Sequence, residues 1–176
     1  MMLANPIAKT DLGNLSSYQF IAEWKWDGIR VQIISSESSV KIFSRTGDDI
    51  SQSFPEIKNS DASMVILDGE LLVGKDYIPM NFNSLQQRLN RKKVTQKHLE
   101  DFPAFIKLYD ILYLNNQDLR EKDWEERRKL LENWYYKNKN EFFDLSQIIN
   151  FNSWQNLAEI RQNKTIDDQH EGLLTK

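Results

Sequence analysis

Apolar residues recurring at every second position set the strongest limit on what this chain can fold into. In Ile29-Arg30-Val31-Gln32-Ile33 they alternate with polar ones, the pattern of a strand with one face in a core and the other in water. Val40-Lys41-Ile42-Phe43-Ser44-Arg45 is a second strand, and the polar stretch Ser35 to Ser39 between them is the turn of a hairpin. Met64 to Val73 and Phe105 to Leu114 are further strands, the latter ending at an Asn115-Asn116 turn. Helical periodicity intervenes between these runs. Asn81 caps a helix with Phe82, Leu85 and Leu89 on one face, Asp123 caps one carrying Trp124, Arg127, Leu131 and Trp134, and Ser153 starts one carrying Leu157 and Ile160. Gly172-Leu173-Leu174-Thr175 opens a last strand. Hairpins are frequent and the elements lack regular βαβ spacing, so the reading is an α+β fold of antiparallel sheets flanked by helices.

Composition narrows the class. At 176 residues the chain is long enough for one domain with a sizeable core. A content of 40% apolar and 11% aromatic residues supports packing over disorder. There is no bilayer-length apolar run and no signal-like start, so no membrane partner is expected and the cytoplasm is the default compartment. Without cysteine, disulfide scaffolds, thiolate zinc sites and thiol nucleophiles drop out. A net charge of -3 argues mildly against a dedicated nucleic-acid binder. Arg88, Arg91, Lys92, Lys93 and Lys97 nevertheless fall in one short segment, which reads equally as a nucleic-acid contact or as a solvated helix face followed by a turn. No repeat is visible, and Asn163 to His170 is an expected exposed loop.

The chemistry-bearing residues sit at strand ends. In Glu23-Trp24-Lys25-Trp26-Asp27-Gly28-Ile29-Arg30 a lysine stands among carboxylates and a glycine at the mouth of an alternating strand. A lysine is a nucleophile only after losing its proton, and its reference pKa of about 10.4 makes that rare at neutral pH; burial or a neighbouring cation changes this. In Val65-Ile66-Leu67-Asp68-Gly69-Glu70-Leu71-Leu72 the two-residue period puts Asp68 and Glu70 on one face. Two carboxylates in an apolar strand need water, a cation or a polar ligand, and the intervening glycine permits close approach of a ligand to the backbone. Surface carboxylates on an edge strand are the plainer alternative. Ser44-Arg45-Thr46-Gly47 offers an arginine suited to phosphate, though an exposed arginine at a strand end is commonplace. Lys107 and Tyr109 share a strand face; the tyrosine is either a stacking surface for a base or a core residue with its hydroxyl at the rim. Glu171-Gly172-Leu173-Leu174-Thr175-Lys176 again joins a carboxylate to a glycine before an apolar strand.

Taken in order, K-x-D-G-x-R, S-R-T-G, D-G-E, L-Y-D and E-G-L-L-x-K resemble the successive nucleotidyltransferase motifs of ATP-dependent DNA ligases of the bacterial and archaeal type. Met2-Leu3-Ala4, the Ser53-Phe54-Pro55-Glu56 turn, Leu85-Gln86-Gln87-Arg88-Leu89 and Tyr109-Asp110-Ile111-Leu112 extend the likeness over almost the whole chain. The resemblance implies an ATP-grasp-like adenylation domain spanning 1–176 and serving DNA repair, recombination or replication. Its cofactors would be ATP and magnesium, with manganese as an alternative, its partner nicked double-stranded DNA, and its state a monomer. By the same resemblance Lys25 attacks the α-phosphate of ATP, Glu23 reads the adenine amino group with Trp24 alongside, and Arg30 lies near the ribose and the incoming strand. Glu70 is the ribose-binding and catalytic acid, Tyr109 stacks on the base, and Glu70 and Glu171 hold the metal. Arg45 corresponds to an arginine that contacts phosphate in the nucleic acid, and on the charge-clustering reading Arg88, Arg91 and Lys92 are expected to contact nucleic acid as well. The family carries a later two-lysine motif and an oligonucleotide-binding domain, neither of which is found before Lys176, so an incomplete adenylation domain unable to seal nicks alone is expected. An RNA ligase or capping-type nucleotidyltransferase, and a non-catalytic nucleic-acid-binding remnant, stay open as alternatives.

Overall fold

A computed structural model describes residues 5–36, 39–59, 63–89, 91, 93–163 and 170–176. In chain order the strands are β1 (Ala22–Trp26), β2 (Ile29–Ser36), β3 (Ser39–Ser44), β4 (Val65–Lys75), β5 (Ile78–Pro79), β6 (Ala104–Leu114), β7 (Gln117–Asp118), β8 (Phe143–Leu145), β9 (Ile148–Ile149) and β10 (His170–Thr175). The helices are α1 (Lys9–Leu12), α2 (Phe82–Gln86), α3 (Gln96–Asp101), α4 (Trp124–Lys137) and α5 (Trp154–Gln162). The fold is α+β, as the periodicities predict. It separates into two compact units, one formed by the chain up to Asp27 together with Ser146–Lys176, the other by Gly28–Leu145.

The Gly28–Leu145 unit is built on a sheet of order β3-β2-β4-β6-β7, with β5 on β4 and β8 on β6. The expected hairpin forms, and its ladder pairs Ser36 with Ser39, so the strands take up most of the predicted turn. One pair departs from the antiparallel expectation, since β8 runs parallel to β6. Its cause is α4, which carries the chain back along the sheet and so returns it in the same direction. Val31, Ile33, Ile42, Leu67, Leu71, Ile106, Leu108 and Ile111 meet Leu85, Leu131 and Trp134 in the core. Asn81 caps α2 by accepting from the Ser84 amide at 3.1 Å, but α2 stops at Gln86 and Leu89 packs on the core from beyond it. Asp123 occupies the cap position of α4 without a side-chain cap bond. Asn115 and Asn116 both take positive φ, 49° and 64°, the conformation a tight hairpin turn demands and asparagine tolerates.

The other unit holds a three-stranded antiparallel sheet of order β10-β1-β9, so β1 is its central strand. Ser153 caps α5 by accepting from the Asn156 amide at 3.1 Å, and Leu157 is buried beneath the helix. Trp154 packs against Phe20 and Phe151 and donates its indole N–H to the Leu15 carbonyl at 2.7 Å. β10 starts at His170, two residues before the predicted Gly172. Residues 164–169 of the expected loop, and Met2-Leu3-Ala4, lie outside the described residues. Among the described residues, no helix is long and apolar enough to cross a membrane.

Candidate active site

Lys25 projects from β1 opposite Gly172 of β10. The ladder then shifts: Trp26 pairs with His170, leaving Glu171 as an extra residue on β10. A bulge of this kind re-aims the inserted side chain, and the Glu171 carboxylate meets the Lys25 ammonium in an ion pair. Gly172 follows the bulge with φ +153°, a backbone state that side-chain-bearing residues rarely adopt. Alternation places Glu23 on the Lys25 face. Glu23 is 2% exposed, and its carboxylate accepts from Lys176 Nζ at 3.0 Å. Trp24 points the other way, buried and stacked on His170 with centroids 4.1 Å apart. A nucleotide contact from Trp24 would therefore run through its main chain rather than its indole. Trp26 donates its indole N–H to Ser146 Oγ at 3.3 Å.

In the Gly28–Leu145 unit, the β2–β4 register sets Arg30 against Glu70 and Gln32 against Asp68, so Arg30, Asp68 and Glu70 share one face. Arg30 forks onto Asp68, with Nε to Oδ1 at 3.2 Å and a terminal nitrogen to Oδ2 at 2.8 Å. These bonds raise the guanidinium pKa further above its ordinary value. A second bulge lies on β6, where Asp110 pairs with Asp68 and Leu108 with Gly69, leaving Tyr109 inserted between them. The Tyr109 ring lies 5.9 Å from the Arg30 guanidinium carbon. Burial above all, then the charges of Asp68 and Glu70, pushes the phenol well above the usual tyrosine range. Lys107 is 7% exposed and donates to Asp144 at 2.6 Å, so its ammonium is a framework ion rather than an open phosphate contact.

Two sequence readings need correcting. Gly69 is not an opening for a ligand: a Cβ there would lie 2.7 Å from the Ile106 side chain and 2.8 Å from the Lys107 carbonyl, so the close approach is that of the neighbouring strand. Arg88 is not a nucleic-acid contact, because its side chain is 0% exposed. It donates to the carbonyls of Phe102 and Ser53 at 2.7 and 2.8 Å, pairs with Glu56 at 2.8 Å and lies over the Phe54 ring at 5.1 Å. Two separate sequence likenesses, Ser53 to Glu56 and Leu85 to Leu89, are thus the two sides of one internal contact. Arg91 is exposed and donates to the Gln87 carbonyl, whereas Lys92 lies outside the described residues. Arg45 is exposed beside a turn whose Ser44 and Thr46 hydroxyls are tied to Asp48.

Residue spacing gives no sign of the bulges that insert Glu171 on β10 and Tyr109 and Leu112 on β6, of the Arg30–Asp68 fork or of the hold of Lys176 on Glu23. The last follows once the register is known: Leu174 pairs with Glu23, so Lys176, two residues on, returns to the same face. Among the described residues no three histidine, aspartate or glutamate side chains converge on one point. A hard cation shared with substrate phosphates needs only one or two carboxylates, and the half-exposed Glu171 fits that role.

Comparison with known proteins locates these motifs in a family. A family model described as ATP dependent DNA ligase domain matches residues 1–176. A DNA ligase of Archaeoglobus fulgidus is 34% identical over 182 residues, covering 100% of this chain and 32% of its own length. One from Methanothrix thermoacetophila is 36% identical over 137 residues, covering 74% and 25%. The chain thus spans about a quarter to a third of the length of these curated relatives. In three dimensions the ligase domain of M. tuberculosis LigD matches with a TM-score of 0.69 at 25% identity, over 94% of this chain and 50% of that one. The ATP-dependent DNA ligase of bacteriophage T7, solved with ATP, shares the fold with a TM-score of 0.62 at 21% identity, over 96% and 59%. With its motifs in order and the family model matched from end to end, the chain belongs to the ATP-dependent DNA ligase domain family.

Proposed function

We propose that this chain performs the adenylation step of a DNA ligase, with Lys25 as nucleophile and ATP as substrate. The Lys25 Nζ–phosphorus bond forms at the α-phosphate, the bond to the bridging oxygen breaks, and its electron pair leaves with pyrophosphate. The ammonium proton must go first, to Glu171 or to water. The observation that carries this reading is the Lys25–Glu171 pair: a lysine on a central strand, met by a bulged carboxylate, with side chains 43% and 50% exposed. A pair so placed can part when a phosphate arrives.

Such a transfer asks the protein for positioning and charge neutralisation more than for covalent chemistry. Glu23 is proposed to read the adenine amino group, Tyr109 to stack on the base, and Arg30 and Glu70 to hold the ribose and reacting phosphate. The Arg30–Asp68 fork supports a role that needs a fixed guanidinium. A divalent cation, when bound at Glu171 or Glu70, would offset charge on the phosphate oxygens. Passage of AMP to a 5′-phosphate and closure of a nick by the 3′-hydroxyl are proposed for the ligase as a whole, with Arg45 and Arg91 as exposed contacts to the nucleic acid.

The test is intact mass after incubation with ATP and magnesium, beside Lys25→Ala. An AMP adduct on the unsubstituted chain, abolished by Lys25→Ala with an unchanged unfolding curve, is expected. An adduct that survives the substitution would remove Lys25 from the chemistry. Run in parallel with GTP, the assay separates the ligase reading from a capping-type enzyme.

A further inference from the structure

Arg161 lies in the last turn of α5, where a cation is favoured by the helix dipole. The dipole accounts for a basic residue there but not for where its guanidinium goes. Measured from the point a Cβ of Gly172 would occupy, Nη2 is 3.7 Å away and Cζ and Nε are each 3.9 Å away. Three nearly equal distances mean that the guanidinium lies flat over the glycine. Gly172 is the register partner of Lys25, and antiparallel partners project to the same face with Cβ positions about 5 Å apart. Arg161 therefore covers the strand face from which Lys25 emerges.

The charges on this face are uneven. Lys25 is met by Glu171 and Lys176 by Glu23, whereas Arg161 is exposed and has no acidic partner among the described residues. Among the described residues of this face three cations stand against two carboxylates, and the unmatched one is the planar fork best suited to two phosphate oxygens.

We propose that Arg161 binds the triphosphate of the nucleotide at the Lys25 site, an inference that rests on the adenylation reading of that site. The guanidinium holds the phosphate chain against β10 and neutralises the oxygens that gain charge as pyrophosphate departs.

Calorimetric titration of the full chain with inorganic tripolyphosphate, ATP and adenosine tests this, using Arg161→Ala, Arg161→Lys and Lys129→Ala as an exposed charge-loss control on α4. Arg161→Ala should weaken tripolyphosphate and ATP about 10-fold or more and leave adenosine unchanged. Arg161→Lys should recover part of the loss, and Lys129→Ala should match the unsubstituted chain. The proposal is overturned if Arg161→Ala binds tripolyphosphate normally, if adenosine binding falls equally, or if the unsubstituted chain binds no tripolyphosphate. Mass measurement of the Lys25 adduct keeps the two readings apart. Lost tripolyphosphate affinity in a chain that forms no adduct would retain the phosphate site and sink the adenylation step. An adduct formed equally by Arg161→Ala with normal tripolyphosphate binding would do the reverse.

Discussion

Two cation–carboxylate pairs, one in each unit, use similar chemistry and are held in opposite ways. In the Lys25–Glu171 pair a single ammonium meets a carboxylate at a bulge, and both side chains are roughly half in water. In the Arg30–Asp68 pair a planar fork makes two hydrogen bonds to a carboxylate only 5% exposed, under the Tyr109 ring. Solvent stands ready to replace either partner of the first pair, so little free energy is lost when a ligand takes one of them. Parting the second leaves a charge in a place water does not reach. Under the proposed adenylation, the difference separates a nucleophile that must be released in order to react from groups whose value lies in keeping their position.

Arg88–Glu56 extends the comparison to its buried limit. The arginine is 0% exposed and the glutamate 15%, and the guanidinium also satisfies two carbonyls. Arg88→Ala should therefore show the largest stability loss, about 3–5 kcal/mol in urea unfolding, with DNA affinity measured on the residual folded protein unchanged. A folded, stable variant with weakened DNA binding would return Arg88 to the surface role that its sequence neighbourhood implies. Arg30→Ala comes next, at about 2–3 kcal/mol, since Asp68 is left buried while the Tyr109 phenol still donates to it. A loss under about 1 kcal/mol would place this pair in the exposed class.

Strands β2, β3, β4, β6 and β10, the β2–β3 hairpin and the side chains sharing a face could be read from residue spacing, because alternation follows directly from backbone geometry. Strand β1, which carries Lys25, and the two-residue β5, β7 and β9 are not marked by it. Alternation cannot show where it is interrupted. The inserted residues Glu171 and Tyr109 are both motif residues, and a bulge has no spacing signature of its own. Nor could the basic segment be divided by sequence: Arg88 and Arg91 are three residues apart, yet one is wholly interior and the other exposed. What separates them is Glu56 and Phe54, brought from more than thirty residues upstream. The parallel β8 was hidden for a similar reason, being too short to register as a strand before the crossover helix delivers it.

Tyr109 gives a smaller and pH-dependent test of the locked side. Its folded pKa is raised above an unfolded value of about 10, first by burial and then by the Asp68 and Glu70 charges. Below about pH 10 both states carry the proton and stability is unaffected; above it the unfolded chain releases the proton while the folded chain retains it, so stability falls as pH rises. Between about pH 8 and 10.5 this contributes a loss of about 1 kcal/mol, and Tyr109→Phe should lose that much less over the same interval. An equal loss in both proteins would mean that the phenol titrates freely and that its neighbourhood is open.

The smallest effect is expected where the chemistry is proposed to occur. Glu171→Gln removes one charge from a half-exposed pair whose lysine can turn to water, so urea unfolding should move by no more than about 0.5 kcal/mol, and raising the salt concentration should shrink even that. The bulge that aims the side chain is a backbone feature and should persist with glutamine in place. A stability loss as large as that of Arg30→Ala would show the Lys25 pair to be locked as well. An incoming phosphate would then have to break a structural contact before it could be attacked, and the contrast between a releasable nucleophile and a fixed frame would no longer describe how this chain divides its work.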